Sequence, residues 1–357
     1  MAADRLLPVT LLTGFLGAGK TTLLNNLLRQ EAMAGTAVLI NEFGETGLDH
    51  LLVETLEDEA VLLQAGCLCC TIRGDLARAL EGIAKRVRDG QDLRRVIIET
   101  TGLADPLPIL QTLMADPGTA RHFALDGVVT VVDAVNGTAT LDSQPEAERQ
   151  AAVADRLLVS KADLTSQNKL STLLARLAAL NPVAEPRILG PGGLDAADII
   201  GLSPETAPLR DEALLRWLKE TAPAAHHHGS GGHHGHHHHD ANRHDSRIHA
   251  FCLRFDSPLP WDGLATWLQM LTATRGDAVL RIKGILDVKG QDRPLAIHGV
   301  QGVWHAPALL PSWPDAMRPC SQMVFILRDM PRDVIEKGIA AFCAAAITPK
   351  RAEAADD

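Results

Sequence analysis

Gly14-Phe15-Leu16-Gly17-Ala18-Gly19-Lys20-Thr21 fits the pattern G-x-x-x-x-G-K-[S/T] and sits between an apolar run at Leu7–Leu12 and a stretch of helical spacing at Lys20–Gln30. Glycines at these spacings let the backbone wrap, so that successive N–H groups face phosphate oxygens and the following helix adds its positive end. Lys20 is placed to reach the β and γ phosphates, and the Thr21 hydroxyl is placed to ligate Mg²⁺. A plain glycine turn accounts for one glycine but not for the Lys-Thr pair behind it.

Outward from this loop, short apolar runs alternate with longer helical stretches, the pattern of βα units on a parallel sheet. The predicted strands are Leu7–Leu12, Ala37–Ile40, Arg95–Glu99, Gly127–Asp133, Arg156–Ser160 and Pro186–Leu189, and the predicted helices are Lys20–Gln30, Gly74–Arg88, Gln150–Asp155 and Ser166–Leu180. The expected architecture is α/β, a three-layer P-loop NTPase fold with a mostly parallel sheet. At residues 226–239 the composition breaks into HHHGSGGHHGHHHH, nine histidines in fourteen residues, which cannot build a core. Beyond it, predicted strands at Ile248–Phe255, Ala278–Leu286, Leu295–Trp304 and Gln322–Leu327, with helices at Gly263–Thr272 and Pro331–Ala345, suggest a small α+β C-terminal domain. The division reads 1–222 nucleotide domain, 223–247 His-rich linker, 248–347 C-terminal domain and 348–357 tail.

The balance of 34 Lys+Arg against 44 Asp+Glu, a net charge of -10, argues against a nucleic-acid binder, which needs concentrated basic surface. No stretch reaches about 18 uninterrupted apolar residues, so no membrane span is expected. The opening MAADRLLPVTLLTG lacks a basic region and a cleavage site, which predicts a cytoplasmic protein.

Two further motifs bear on the nucleotide. Val96-Ile97-Ile98-Glu99-Thr100-Thr101-Gly102 is an apolar strand ending in E-x-x-G; Glu99 is the candidate carboxylate for Mg²⁺ or its water, and the Gly102 N–H is a candidate γ-phosphate sensor. Ser160-Lys161-Ala162-Asp163 follows another apolar strand. An Asp there can accept from N1–H and the exocyclic amine of guanine, while adenine offers no such pair, so GTP is favoured over ATP; the Lys161 stem can lie over the base.

Cys67, Cys69 and Cys70 fall within Ala65-Gly66-Cys67-Leu68-Cys69-Cys70-Thr71. Three thiols in four residues can offer soft sulfur to Zn²⁺, Cu(I) or Co²⁺, and the incomplete shell suits a metal that must leave. Glu42 or a histidine is a candidate to complete it; packed free cysteines or a redox pair is the competing reading. The His-rich run offers weak, multivalent capture of Zn, Ni or Co, or is an inert linker. Cys252, Cys320 and Cys343 read as core residues, and His298 and His305 as ordinary structural or surface residues.

In this order, G-F-L-G-A-G-K-T-T, N-E-F-G-E at Asn41–Glu45, G-C-L-C-C, E-T-T-G, V-V-D-A at Val131–Ala134 and S-K-A-D resemble the CobW-like P-loop GTPases, and Arg281-Ile282-Lys283-Gly284-Ile285-Leu286 is similar to that family's R-x-K-G-x-L strand. The resemblance implies a GTP-dependent metallochaperone. Gly14, Gly17, Ala18, Gly19, Lys20, Thr21 and Thr22 would bind phosphate and Mg²⁺, Glu99 would be the Walker-B-like carboxylate, and Lys161 and Asp163 would read guanine. Cys67, Cys69 and Cys70 would hold zinc, or cobalt in cobalamin-pathway members, and Asn41–Glu45, with Glu42, would form a switch. Ser160 departs from the usual Asn or Thr. The implied partners are GTP and a client metalloprotein, with a second copy of the chain as a further candidate. Competing readings are a His-rich metal buffer and an ATP-using kinase or ligase on the same scaffold. A sheet face of the C-terminal domain is a candidate for client docking, for capping the metal site or for dimerisation.

Overall fold

The computed structural model describes residues 6–41, 72–190, 193–203, 247–300, 302–313 and 318–347. Six strands make the first sheet: β1 (Leu7–Thr13), β2 (Thr36–Asn41), β3 (Arg95–Thr100), β4 (Phe123–Asp133), β5 (Arg156–Ser160) and β6 (Pro186–Ile188), in the order β2-β3-β1-β4-β5-β6. Every pairing in it is parallel. Such strands are buried on both faces and read as continuous apolar runs, which is why their positions were legible. Leu12, Ile97, Val129 and Leu158 pack on one face with helix α1 (Lys20–Leu28). On the other face Leu11, Ile98 and Val128 pack with α2 (Ile72–Arg88), α3 (Leu107–Ala115) and α7 (Gln167–Leu180), giving the three expected layers.

Several local expectations are corrected. A helix expected at Gln150–Asp155 is instead α6 (Pro145–Ala152), which starts on Pro145, a residue suited to the first helical turn, and stops before Asp155. Helices α3, α4 (Pro117–Ala120) and α5 (Gly137–Ser143) are not among the helices expected from the sequence. Strand β4 starts at Phe123 rather than Gly127; Asp126-Gly127 resembles a turn, but the Asp126 carboxylate is buried and accepts from the N–H groups of Gly201 and Leu202.

The C-terminal sheet is antiparallel, ordered β10-β9-β8-β12-β7, with β7 (Ile248–Phe255), β8 (Val279–Leu286), β9 (Leu295–Val300), β10 (Val303–Trp304) and β12 (Ser321–Arg328), and with β11 (Ala308–Leu309) on β9. The single strand expected over Leu295–Trp304 is a hairpin of β9 and β10, turned at Gly302, whose φ of 77° is easy only for glycine. One face packs on α8 (Trp261–Arg275) and α9 (Arg332–Ile347) through Ile282, Phe325, Trp267 and Ile339. The other contributes Leu280, Val300, Val324 and Ile326 to the same core as Leu11 and Ile98. That face is therefore turned inward against the first domain and is not exposed for client docking or dimerisation.

This interface has a charged centre. The Asp155 carboxylate receives Arg281 and, at 3.7 Å, the Lys283 ammonium, while the Val128 N–H donates to its second oxygen at 3.0 Å. Arg281 also donates to the Val153 carbonyl. Burial pushes the Asp155 carboxyl up, but Arg281, then Lys283 and His298, outweigh it and hold the group far below the usual carboxylate range. His298, opposite Lys283 in the β8–β9 ladder, stacks on His305 with ring centroids 4.7 Å apart. Burial, helped by Arg281 and His305, pushes its imidazole well below its ordinary value, so it stays neutral. No helix among the described residues is long and apolar enough to cross a membrane.

Candidate functional site

Parallel register brings the carboxyl ends of β1, β3, β4 and β5 to one edge, where the loops following them meet. The loop after β1 wraps back so that Gly19 precedes α1 in a left-handed conformation, φ 94°, which only glycine adopts cheaply. The buried Lys20 ammonium donates to the Gly14 carbonyl at 2.9 Å and the Phe15 carbonyl at 3.4 Å, which lays it along the inside of the loop. Gly14 is buried, Gly17 and Thr22 are exposed, and Ala18 closes the turn by donating its N–H to the Phe15 carbonyl at 3.2 Å.

From β3, buried Glu99 accepts the Thr21 hydroxyl at 2.6 Å, so the two candidate Mg²⁺ ligands meet. Their ends of the sheet are tied by a buried bond of 2.8 Å from the Thr100 hydroxyl to that of Thr13. Gly102 then passes so close to the P-loop that a Cβ there would fall 2.4 Å from the Leu16 amide nitrogen. The E-T-T-G glycine is thus required by contact between the two loops.

From β5, Lys161 crosses to the same loop. Its ammonium donates to the Gly17 carbonyl at 2.7 Å and to the Asp133 carboxylate at 2.8 Å. Asp133 ends β4 and belongs to the V-V-D-A motif, whose role the sequence alone does not show; it anchors the lysine. Burial raises the Asp133 carboxyl, but hydrogen bonds from Lys161, the Val135 N–H and Asn136 outweigh it and hold the group ionised below the ordinary range. Ser160, the departure from the usual Asn or Thr, donates its hydroxyl to the Ala18 carbonyl at 2.7 Å and so pins the P-loop from below. Asp163 stands exposed in the 3-10 turn Ala162–Leu164, two residues past Lys161.

The structure therefore brings together Gly14, Gly17, Ala18, Gly19, Lys20, Thr21, Glu99, Gly102 and Lys161, with Asp163 beside them. Glu42, Cys67, Cys69, Cys70 and the His-rich run lie outside the described residues. Asn41, which closes β2, is paired in register with Thr100, and α2 opens at Ile72. The three described cysteines are free, and burial pushes the thiols of Cys252 and Cys343 up, the reverse of what a reactive thiolate needs.

A glycine-wrapped loop between the first strand and helix of a parallel sheet, with its lysine, its threonine and a carboxylate from the adjacent strand, defines a P-loop nucleoside triphosphatase. The chain belongs to the CobW family: the CobW/HypB/UreG nucleotide-binding domain matches residues 8–186, and the cobalamin synthesis protein CobW C-terminal domain matches residues 248–343. It is 33% identical over 334 residues to the zinc chaperone YjiA of Escherichia coli, covering 93% of this chain and 97% of that protein. It is 39% identical over 185 residues to the zinc-regulated GTPase metalloprotein activator 1 of Schizosaccharomyces pombe, 50% of this chain and 44% of that one. The crystal structure of Zn(II)-bound YjiA GTPase from Escherichia coli matches with a TM-score of 0.68 at 27% identity, over 94% of this chain and 99% of that chain.

Proposed function

We propose that this CobW-family GTPase is a metallochaperone, which takes zinc as cargo on Cys67, Cys69 and Cys70 and hands it to a client metalloprotein in a GTP-dependent step in the cytoplasm. The observation that carries the nucleotide half is the meeting of Thr21 with Glu99 at 2.6 Å on the loop that Lys20 and Lys161 both clasp. Lys20 then moves from loop carbonyls to the β and γ phosphates, the loop N–H groups hold the chain of phosphates, and Asp163 accepts from the guanine edge while the Lys161 stem covers the base. Two hard oxygens held together fit Mg²⁺, and Thr21 and Glu99 would hold it. When bound, it would supply positive charge to offset that of the phosphates.

The cargo half rests on chemistry and connectivity. Thiolates select zinc or cobalt, and the thiol-bearing segment leaves the sheet at Asn41, beside the Thr100 that follows Glu99. Residues Asn41–Glu45 are thus suited to a switch whose response to the γ-phosphate reaches the metal shell. The relatives named as zinc chaperones favour zinc over cobalt as cargo. The test is competition titration of zinc, and of cobalt, against a chromophoric chelator in the presence of GTPγS or GDP. Zinc affinity is expected to differ between the two nucleotides by about 5- to 150-fold, the range of an ordinary coupling free energy. It is expected to collapse in Cys67→Ala with Cys69→Ala. Equal affinity under both nucleotides refutes the coupling, and a zinc site unaffected by the cysteine changes refutes the assignment of ligands and favours the His-rich buffer.

A further inference from the structure

Gln150 belongs to none of the nucleotide motifs, yet it is fully buried and touches the site. It lies in α6, and its side-chain Nε2 donates to two carbonyls of the loop that carries Gly102: to Gly102 at 3.2 Å and to Ala104 at 2.9 Å. Its neighbour Arg149 reaches Asp105 of that loop at 3.4 Å. On the loop's other side stands Leu16 of the P-loop, so Gly102 is held between the amide of Gln150 and the phosphate-binding backbone.

The helix offering this amide is itself fixed. The Gln150 carbonyl accepts the Thr130 hydroxyl at 2.7 Å. Asn181 donates to the carbonyls of Ala151, Ala152 and Ala154, and Arg281 donates to that of Val153. Anchoring α6 thus does not call for a glutamine side chain. That side chain also leaves its Oε1 buried and without a hydrogen-bond partner among the described residues, and Gln150 lines a small cavity together with Phe15, Asp133 and Thr140. A methionine would pack there without stranding an oxygen. What the amide supplies is two donors aimed at the E-T-T-G loop.

We propose that Gln150 is a positioning residue for GTP hydrolysis: it fixes the Gly102–Ala104 backbone so that the Gly102 N–H faces the terminal phosphate. The inference rests on the nucleotide site proposed above. GDP lacks the γ-phosphate, so the effect must be confined to GTP.

The test uses the full chain with Gln150→Met, which keeps length and removes both donors, and Gln150→Glu, which turns carboxylate oxygens toward the two carbonyls. The readouts are kcat and KM for GTP, the affinities for GTPγS and GDP, and the unfolding midpoint. In Q150M, kcat is expected to fall about tenfold, the scale of one well-placed hydrogen bond in the transition state. GTPγS affinity is expected to fall with it, while GDP affinity stays within about twofold; Q150E should lose more, and if it does not fold, Q150M decides. Unchanged kcat in folded Q150M overturns the role. Parallel loss of kcat and GDP affinity also overturns it, since that is what general loosening would give. Wild-type protein that neither binds nor hydrolyses GTP overturns the site itself, a result distinct from an active wild type matched by Q150M.

Discussion

Asp155→Asn tests what joins the two domains. The side chains of Asp155, Arg281 and Lys283 are 3%, 1% and 1% exposed, so solvent screens none of them. Asparagine keeps the size and can still accept the Val128 N–H, so the change removes charge and little else. Two cations then share a closed pocket without the carboxylate between them. Breaking a buried pair in this way costs about 3–5 kcal/mol, against roughly 0–1 for a solvent-exposed pair. Since folded domains hold about 5–15 kcal/mol in all, the loss is large enough to read directly.

Four of the five tryptophans, Trp261, Trp267, Trp304 and Trp313, lie in the C-terminal region, with Trp217 the fifth, so intrinsic fluorescence in urea reports chiefly on that part. The expected result is a fluorescence transition at lower urea in D155N, preceding the loss of far-UV circular dichroism as the C-terminal unit comes away first. Replacing the three residues together, Asp155→Leu with Arg281→Met and Lys283→Met, should recover most of the loss, because it removes stranded charge rather than packing. A D155N loss below about 1 kcal/mol, the value of an exposed pair, refutes the buried joint. The pH dependence has a fixed sign. A carboxyl held below its unfolded value near 3.9 stabilises fully above that pH and loses the contribution as pH falls further, so the D155N difference is flat from pH 5 to 8.

His298 behaves oppositely to a histidine that gains an anionic partner: its folded value is depressed, so its neutral form is stabilising above the unfolded value near 6.5, and stability falls as pH drops below it. Unfolding free energies of wild type and His298→Gln at pH 7.5 and 5.5 should show an acid-side loss of about 1 kcal/mol in wild type that the variant lacks; parallel curves refute the buried neutral imidazole. Gly102→Ala puts a methyl 2.4 Å from the Leu16 nitrogen, so the loop must retract from the P-loop. GTP turnover should fall by about tenfold or more with global stability nearly intact, the loss of a transition-state contact, and unchanged kcat refutes the close approach.

The grouping of the proposed nucleotide-site residues was legible because the chemistry such a site needs restricts residue type. A loop that must present N–H groups to phosphate needs glycines at Gly14, Gly17 and Gly19, a lysine and a hydroxyl, and those letters stand together in the chain. The strands were legible because sheet strands covered on both faces are apolar throughout. Long-range partners were not. Lys161 could be placed near guanine, but not its anchor Asp133, 28 residues earlier. Ser160 read only as a departure from the usual Asn or Thr, although its hydroxyl is committed to Ala18, 142 residues away. Gln150 carried no signal, since a glutamine within an Ala-rich helix reads as a solvated position.

The R-x-K-G strand shows why burial of charge resists such reading. In Val279–Leu286 the alternation of Arg281 and Lys283 with apolar Ile282 is the usual mark of a sheet with one wet face. Here every residue of the strand is buried, and the polar face is the inner one. The two cations there meet a carboxylate that lies opposite, and that carboxylate, Asp155, stands in the short connection between α6 and β5, at a position expected from the sequence to end a helix. The separation between Arg281 and Asp155 is 126 residues. Alternation alone therefore cannot distinguish a face turned to water from a face turned to another domain. The distinction is made by whether an anion elsewhere in the chain can meet the cations without solvent, and Asp155, already tied to Val128 of the first sheet, is positioned to do so.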